Sequence, residues 1–229
     1  MTRDGAAAGP EPPVPLLVAC ALRIEQAALR SGGGRGAARP GPGCTVLRTG
    51  MGPRAAERAV GRALAAPELR LAPVLATGFC AGLVPGMSPG DLVVAEETRD
   101  PRGTVPCEGT ALLAEALARA APGRTVHTGA LTGSDHVVRG QERAQLRATG
   151  AIAVDMESAA TLWAAARAAR AAGSGRHRPV AAVRVIVDAP EHELVRIGTL
   201  RGGISAFRVL RAVLPAFYDW HRSLLLPRR

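Results

Sequence analysis

The sequence predicts a single-domain α/β fold with three layers (α/β/α) and a mixed, mainly parallel central sheet. Three observations predict this arrangement. Apolar runs of strand length alternate with helical patterns along the chain, which is typical of strands joined by covering helices. Many of these runs lack polar alternation, as expected for strands buried on both faces. Several runs also end in glycine or in an acidic residue, and such strand ends are where open α/β sheets bind ligands.

Strands are predicted wherever an apolar run stops at turn-forming residues. In chain order they are Pro15–Ala21, Cys44–Gly50, Pro73–Leu83, Pro89–Thr98, Thr125–Asp135, Ala151–Val154 and Val180–Pro190. Residues 1–13 are rich in Pro, Gly and Ala and are expected to form a disordered tail, and residues 31–43 a flexible loop. The folded domain is therefore predicted to span residues 14–229.

Helices are predicted between these strands. The segment after the second strand starts with Pro53, and proline suits the first turn of a helix. The C-terminal segment repeats apolar residues at helical spacing. The predicted helices are the segment LRIEQAALRS, Pro53–Ala66, residues 108–120, the alanine-rich stretch that follows Asp155, and Thr199–Leu224.

Composition narrows the class of protein. Of the 229 residues, 47% are hydrophobic, which favours a globular protein. No apolar run approaches the roughly 20 residues of a membrane-spanning helix, and the N-terminal residues lack the apolar core of a secretory signal. We therefore expect a cytoplasmic protein. The four cysteines are too widely spaced for a zinc site, so we expect free thiols, no metal and no cofactor.

The charge balance is strongly basic. The formal net charge is +10, and each of the 29 basic residues is an arginine. A basic protein invites a nucleic-acid or an anionic-membrane partner. Because the arginines are spread along the chain rather than clustered, we expect no nucleic-acid partner. A weak attraction to anionic membrane surfaces stays open.

Acids and glycines follow several of the predicted strands. Glycine there lets a ligand approach the backbone closely. Carboxylates gathered at one sheet edge suit cleavage of an N-glycosidic bond, in which one acid protonates the leaving base, one carboxylate activates water and one holds the sugar hydroxyls. The candidate positions are Glu25, Gly50, Gly78, Asp155, Glu157 and Asp188.

The same residues also suit ordinary structural roles. Asp155 fits a helix N-cap, and Glu157 and Glu25 fit a first helical turn. Asp188 precedes Ala and Pro and fits a turn. Met156 fits a plain core position. At the level of the residues these alternatives stay open.

Four segments carry a resemblance to a known family: VACALRIEQ, RTGMG, ATGFCAGLVPGMSPGDLVVAEE, and the pair AIAVDMESAATL and VRVIVDA. The sequence resembles the nucleoside phosphorylase/nucleosidase superfamily of the purine nucleoside and uridine phosphorylase type, and within it the methylthioadenosine/S-adenosylhomocysteine nucleosidases. The resemblance implies the phosphorylase/hydrolase-like α/β fold. It covers most of the chain from Pro15 to about Phe217.

The resemblance implies a role for each acid. Glu25 falls where the nucleosidases keep the glutamate that activates the attacking water. Asp188 falls on the aspartate that protonates N7 of the departing purine. Glu157 falls on the glutamate that holds the ribose 2′ and 3′ hydroxyls, with Met156 packed beside the ribose. Asp155 is then left to cap the helix.

Two further pairs of residues are implied in substrate binding. Val137 and Val138 fall on the segment whose backbone contacts adenine. The nucleosidases carry an aromatic residue at the first of these positions, so base stacking is expected to be weaker here. Phe79 and Cys80 replace smaller residues in the turn beside the sugar.

The choice between hydrolysis and phosphorolysis depends on a phosphate site. The phosphorylases carry a GDPxR-type loop after the first strand, where this chain has ACALRIEQ. Arg23 and Arg48 lie outside that motif, and a glutamate at position 25 repels phosphate and suits water. We therefore expect a hydrolase.

The substrate is suggested by a second likeness. The phrases GFCAGL, IAVDMES and FYDWHRSLLLP resemble the hopanoid-associated phosphorylase family, thought to remove adenine from adenosylhopane and leave ribosylhopane. Leu194, Ile197 and Leu200 would then face the apolar 5′ group. The nucleosidases cover this group with help from a neighbouring subunit, so a homodimer is expected. The alternatives are nucleosidase or phosphorylase activity in nucleoside salvage, and a non-catalytic nucleoside-binding protein.

Overall fold

A computed structural model describes residues 14–31, 43–172, 177–190 and 206–225. Some of the predictions lie outside these residues. They are the disordered tail at 1–13, most of the loop at 31–43, and the apolar residues Leu194, Ile197 and Leu200.

In the described part of the chain, eight strands form one sheet. They are Leu16–Cys20 (β1), Cys44–Arg48 (β2), Val74–Gly82 (β3), Leu92–Asp100 (β4), Gly103–Pro106 (β5), Val126–Gly133 (β6), Ala151–Asp155 (β7) and Val180–Asp188 (β8). The order across the sheet is β2-β1-β3-β7-β6-β4-β5, and β8 pairs with both β3 and β4. The pairs β3–β7, β4–β5 and β4–β8 are antiparallel and the other five are parallel, so the predicted mixed, mainly parallel sheet is confirmed.

Helices cover both faces of this sheet. They are Arg23–Arg30 (α1), Pro53–Ala65 (α2), Thr110–Ala120 (α3), Gln141–Ala148 (α4), Ser158–Ala171 (α5) and Leu214–Leu224 (α6), with a helical segment at residues 206–212. A short 3₁₀ turn spans Pro67–Leu69. None of the helices in the described ranges combines the length and apolarity needed to cross a membrane.

The core explains why β1 is apolar at every position. Leu16, Val18 and Cys20 face the core beneath α3 and α6. Leu17 and Ala19 face the opposite core, which packs against α2 and α5. A strand buried on both faces needs apolar side chains at every position rather than at alternate ones. The three-layer α/β/α prediction is confirmed.

The prediction of one continuous C-terminal helix over Thr199–Leu224 is wrong. The residues before 206 lie outside the described part, and the helical pattern then breaks at Val213 before α6 begins at Leu214. Pro215 lies in the first turn of α6, where its missing N–H goes unused. Because Pro215 lacks an N–H and its ring cannot be accommodated inside a helix, it cannot continue the preceding helical segment and instead lies at the start of a new helix.

Two elements were not predicted. The edge strand β5 is short and mostly exposed, so it lacks an apolar run. The helix α4 is mostly polar, and Arg143 is its only buried residue. The helix α4 supplies one charged residue, Arg143, to the cavity described next.

Candidate active site

A cavity of about 290 Å³ lies where β1, β7 and β8 end, beside the last residues of β3. Most of its lining is apolar, with carboxylates, one histidine and one arginine among them. This is the usual composition of a small-molecule site, in which a few polar groups fix the orientation of an otherwise buried ligand. The lining residues that carry the argument are Glu25, Phe79, Arg143, Met156, Glu157 and Asp188.

The structure brings most of the predicted site residues together. Glu25, Phe79, Cys80, Val137, Val138, Met156, Glu157 and Asp188 all line this one cavity. Gly50 and Gly78 do not line it. Instead, Met51 from the same Gly-Met-Gly turn reaches the cavity, and Gly78 lies behind Glu25.

Glu25 is held by backbone donors from two elements. Its Oε2 accepts hydrogen bonds from the N–H groups of Ala21 at 2.9 Å and Leu22 at 2.8 Å. Its Oε1 accepts one from the N–H of Phe79 at 2.9 Å. Glu25 therefore does cap the start of α1, as its structural interpretation predicted, and it also lines the cavity. Three backbone donors orient the carboxylate but leave acceptor capacity for one further partner, such as a water molecule.

Gly78 makes room for this carboxylate. A Cβ atom at position 78 would lie 2.5 Å from Oε1 of Glu25 and 2.6 Å from Nη1 of Arg184. Its φ of +135° is also a backbone conformation that favours glycine. The glycine predicted to admit a ligand therefore admits two protein side chains instead.

Asp155 and Arg184 form a pair that is enclosed by protein. Both side chains are 1% exposed, and Arg184 Nε lies 2.6 Å from Asp155 Oδ2. The guanidinium also donates to the Ser158 hydroxyl at 2.8 Å and to the Thr77 carbonyl at 2.9 Å. Burial acts to lower the pKa of Arg184, but the nearby Asp155, Glu157 and Glu25 carboxylates outweigh it and raise the pKa. The arginine is therefore a permanent cation behind the cavity.

Asp155 also meets the start of α5, as predicted. Both of its carboxylate oxygens lie 3.2 Å from the N–H of Ser158, which donates to them. Glu157 points elsewhere. Its Oε1 accepts a hydrogen bond of 2.7 Å from the N–H of Gly52, and its Oε2 has no hydrogen-bond partner among the described residues. Burial raises the pKa of Glu157, and the charge of Arg184 opposes that rise.

Asp188 ends β8 and meets an arginine from α4. Arg143 donates from Nη2 to Oδ2 and from Nη1 to Oδ1, the second at 3.4 Å. Its Nε donates to the Val138 carbonyl at 3.3 Å. The two side chains of the pair are 8% and 11% exposed, so this ion pair is buried but lies on the cavity wall.

Two neighbouring valines differ sharply in exposure. Val138 is 4% exposed and joins a small core with Leu83 and Val154, whereas Val137 is 62% exposed at the cavity. His136, beside them, hydrogen-bonds through Nδ1 to Asp135 at 2.8 Å and through Nε2 to Glu142 at 3.0 Å. These hydrogen bonds raise its pKa.

Cys80 is an inert part of the wall. It is buried, and burial raises the pKa of its thiol. Within the described residues, no three His, Cys, Asp or Glu side chains gather where they could hold a metal ion.

Sequence reasoning missed both arginines of this region. Arg184 interrupts an otherwise apolar strand, which was the available signal, because a charged residue inside a buried strand needs a buried partner. Arg143 lies in a segment for which no helix was predicted. The residues around Arg143 are also mostly polar, so the local sequence does not distinguish it from an exposed surface arginine.

Solved structures share this fold. The 5′-methylthioadenosine/S-adenosylhomocysteine nucleosidase of Neisseria meningitidis, in complex with methylthio-immucillin-A, has a TM-score of 0.65 and 20% identity over 92% of this chain and 99% of that one. The corresponding nucleosidase of Streptococcus pneumoniae, in complex with 8-aminoadenine, has a TM-score of 0.66 and 20% identity over 90% and 99%. A mutant futalosine hydrolase of Helicobacter pylori has a TM-score of 0.66 and 16% identity over 90% and 98%.

No curated protein matches the sequence. The family profile is more direct evidence than the shared fold. The profile of the phosphorylase superfamily matches residues 40–214, well over half of the chain and including the segments that supply most of the cavity wall. The chain therefore belongs to the phosphorylase superfamily.

Proposed function

We propose that this protein is a nucleosidase that hydrolyses the N-glycosidic bond of an adenosine-type nucleoside and releases adenine. The observation that carries the proposal is the convergence of Glu25, Glu157 and Asp188 on one mostly apolar cavity. These are three carboxyl groups from three distant parts of the chain. The reaction needs an acid for the base, a base for the water and an acceptor for the ribose hydroxyls.

The chemistry assigns one step to each group. Glu25 takes a proton from a water molecule, whose oxygen forms a bond to C1′ of the ribose. The C1′–N9 bond breaks, and its electron pair leaves with the purine. Asp188 gives a proton to N7 of that purine, so that the base departs neutral. Glu157 accepts hydrogen bonds from the ribose hydroxyls through Oε2, and Met156 packs against the sugar.

Hydrolysis is favoured over phosphorolysis by the charges around the cavity. A phosphate site needs cations or backbone N–H groups that are free to bind it. Among the described lining residues Arg143 is the one arginine, and it is paired with Asp188. Arg184 is paired with Asp155 and enclosed. The N–H groups around Glu25 already donate to its carboxylate.

The hydrolase proposal is tested by measuring adenine release from 5′-methylthioadenosine with and without phosphate. We expect turnover that is independent of phosphate and that Glu25→Gln reduces by roughly 10²–10⁴-fold, the usual contribution of an acid–base group. A ribose-1-phosphate-type product would contradict the proposal. Ligand binding without any base release would favour a nucleoside-binding protein.

For the substrate we propose adenosylhopane, converted to ribosylhopane. A mostly apolar cavity wall, on which the exposed side chain of Met51 lies, supports an apolar 5′ group. Burying apolar surface contributes roughly 25 cal/mol per Å² before the losses of binding are counted. A fused-ring hydrocarbon offers far more such surface than a methylthio group.

The substrate proposal is tested by comparing kcat/KM for adenosylhopane, or for a soluble adenosine with a long 5′ alkyl chain, with kcat/KM for 5′-methylthioadenosine. We expect a preference of at least tenfold for the large apolar group, which about 1.4 kcal/mol produces. Equal or better use of methylthioadenosine would favour the second candidate, nucleoside salvage. The complexes of the similar Neisseria and Streptococcus nucleosidases give that candidate its support.

Homodimerisation, a cytoplasmic location and a weak attraction to anionic membrane surfaces belong to the same proposal. The net charge of +10 supports the last of these. Light scattering tests the dimer, and sedimentation with anionic vesicles tests the membrane attraction.

A further inference from the structure

A second cavity, of about 500 Å³, lies between the edge strand β5, the helix α5 and the start of β8. It shares no lining residue with the candidate active site. Its wall is largely apolar, and its charged or titratable lining residues are Arg170, His177 and Arg178. No carboxylate of the described residues lines it. Its size and its mixture of apolar wall and few polar groups are typical of a small-molecule pocket.

Arg178 differs from the other buried arginines. Of the three that are buried in the described part of the chain, Arg143 and Arg184 each pair with an aspartate. Arg178 is 6% exposed, and its Nη1 and Nη2 donate to the carbonyls of Ala72 at 2.6 Å and Arg70 at 2.7 Å. Burial lowers the pKa of Arg178, without the carboxylate charges that raise the pKa of Arg184. Carbonyl oxygens bring no net charge, so this guanidinium keeps a positive charge that nothing described neutralises.

Trp163 adds an unpaired donor to the same wall. Its Nε1 is buried and has no hydrogen-bond partner among the described residues, and the same holds for Nε of Arg178. A buried N–H without an acceptor is unfavourable, because it has lost water without a replacement. Arg170, which is exposed, lies over the Trp163 ring with Cζ 5.9 Å from the ring centroid. The wall therefore offers positive charge and donors but no carboxylate.

The contacts of Arg178 also suit a purely structural role, in which the side chain ties the residues after the 3₁₀ turn to the start of β8. That role uses the hydrogen bonds to Arg70 and Ala72, but it requires neither a net charge nor a cavity beside it. His177 does not contribute to the unbalanced charge, because its Nε2 lies 2.8 Å from the Glu108 carboxylate. Arg178 and Arg170 are the cations that remain for a ligand.

We propose that this cavity binds a small organic anion, in which a carboxylate or phosphate group is attached to an apolar or aromatic body. The anionic group supplies the counter-charge that Arg178 lacks, and in a cavity with little water that attraction is strong. The apolar body packs against Val105, Ala166 and Val180. This site is separate from the proposed nucleosidase site and does not depend on the reaction assigned there.

Three variants remove the proposed contacts one at a time. Arg178→Gln removes the buried charge, Arg170→Gln removes the exposed charge, and Trp163→Phe removes the indole N–H but keeps an aromatic ring. Arg167→Gln is the matched control, because Arg167 is exposed on the same helix, pairs with Glu57 and does not line the cavity. Should Arg178→Gln fail to fold, Arg170→Gln and Trp163→Phe still test the site.

The first experiment is calorimetric titration with benzoate, phenyl phosphate, benzyl alcohol and inorganic phosphate, with adenine present in excess to occupy the candidate active site. We expect at least one of the two aromatic anions to bind. Its Kd should rise at least tenfold in Arg178→Gln, as for loss of a charged hydrogen bond, and about two- to fivefold in Arg170→Gln. Arg167→Gln should match the wild type.

Three results would overturn the proposal: no binding by either aromatic anion, equally tight binding of benzyl alcohol or of inorganic phosphate, and an equal loss of affinity in Arg167→Gln. Failure of the protein to bind adenine would count against the proposed function alone, because the variants locate the aromatic anion independently.

The second experiment follows the site directly by nitrogen-15 NMR. The chain has two tryptophans, so Trp163→Phe identifies the indole N–H signal of Trp163. We expect the bound anion to shift this signal in the wild type and in Arg167→Gln, with the half-maximal shift at the calorimetric Kd. An unmoved Trp163 signal while the anion binds would place the ligand elsewhere and overturn the inference.

Discussion

Within the described residues, two arginine–aspartate pairs are buried, and they differ in what surrounds them. Arg184 and Asp155 are enclosed, with Ser158 and the Thr77 carbonyl taking further hydrogen bonds from the guanidinium. Arg143 and Asp188 have protein on one side and the cavity on the other. Both side chains of the first pair are 1% exposed and only Asp155 of the two reaches the cavity lining, whereas both residues of the second pair line the cavity with side chains 8% and 11% exposed.

The same kind of ion pair therefore has a different consequence in each of these two surroundings. A buried charge is expensive unless it is paired and fully hydrogen-bonded, so an enclosed pair is held to one arrangement. A pair on a cavity wall keeps its orientation and stays open to a reacting group. We expect substitutions in the enclosed pair to change stability first and substitutions in the cavity pair to change turnover first.

The largest effect expected is on turnover. Asp188→Asn removes the proposed acid with little change of shape, so adenine release should fall by roughly 10²–10⁴-fold. The measurement is kcat with 5′-methylthioadenosine, alongside circular dichroism to confirm folding. Asp219→Asn, in a surface pair with Arg222, is the control and should leave kcat unchanged. A folded Asp188→Asn protein with wild-type turnover would remove Asp188 from the mechanism.

The enclosed pair should respond with a loss of stability. Arg184→Gln leaves the Asp155 carboxylate buried without its cation, which typically lowers the free energy of unfolding by about 3–5 kcal/mol. Urea unfolding of Arg184→Gln against Arg147→Gln measures this, because Arg147 is exposed. Equal midpoints for the two variants would mean that the enclosed pair does not stabilise the fold.

Gly78 tests the space between Glu25 and the enclosed pair. Gly78→Ala places a Cβ 2.5 Å from Glu25 Oε1 at a φ of +135°, so we expect a destabilisation of about 1–3 kcal/mol and a lower kcat. Gly61→Ala is the matched control. Gly61 lies within α2, nothing lies within 4 Å of its Cβ position, and alanine there should stabilise by about 0.5–1 kcal/mol. A harmless Gly78→Ala would show that Glu25 tolerates a shift.

The smallest effect expected is a gain of stability at Glu157. Because burial raises the pKa of this carboxyl, folding favours its protonated form. That contribution is fully present below the pKa of the unfolded chain and is lost as pH rises through the raised pKa of the folded protein. Glu157→Gln avoids the loss, so its Tm should exceed the wild-type Tm near neutral pH, and the two should converge on acidification. Calorimetry across the acidic range checks this, and a lower Tm at neutral pH would contradict it.

Much of the sheet could be predicted because burial on both faces leaves a clear pattern. The runs at 15–21 and 180–190 contain β1 and β8 almost end to end. The ends of these strands indicated where the acids meet, and the cavity lies there. Fold and superfamily were predicted correctly. The roles of the individual residues stay predictions.

What could not be predicted depends on contacts between distant segments. The strand β5 is an edge strand, and α4 is mostly polar, so neither shows the periodicity that marks a buried element. The partner of Asp188 comes from α4, 45 positions away in the chain, and no local pattern marks that pairing. Pro215 in the sequence indicates a break, but the apolar residues at helical spacing on both sides of it still predicted one continuous helix.

The pairing register between β8 and β3 shifts by one residue near the end of β8. Against β3, Cys80 pairs with Ile186 and Ala81 pairs with Asp188, so Val187 is an extra residue. Such a bulge re-aims the side chains that follow it. Upstream of Val187 the strand is constrained by the core and the enclosed pair, whereas Asp188 is turned by the bulge and held by Arg143. Deleting Val187 would return Asp188 to the register of the strand and redirect the proposed acid, and it would also remove the contacts that Val187 makes with the core and with the cavity.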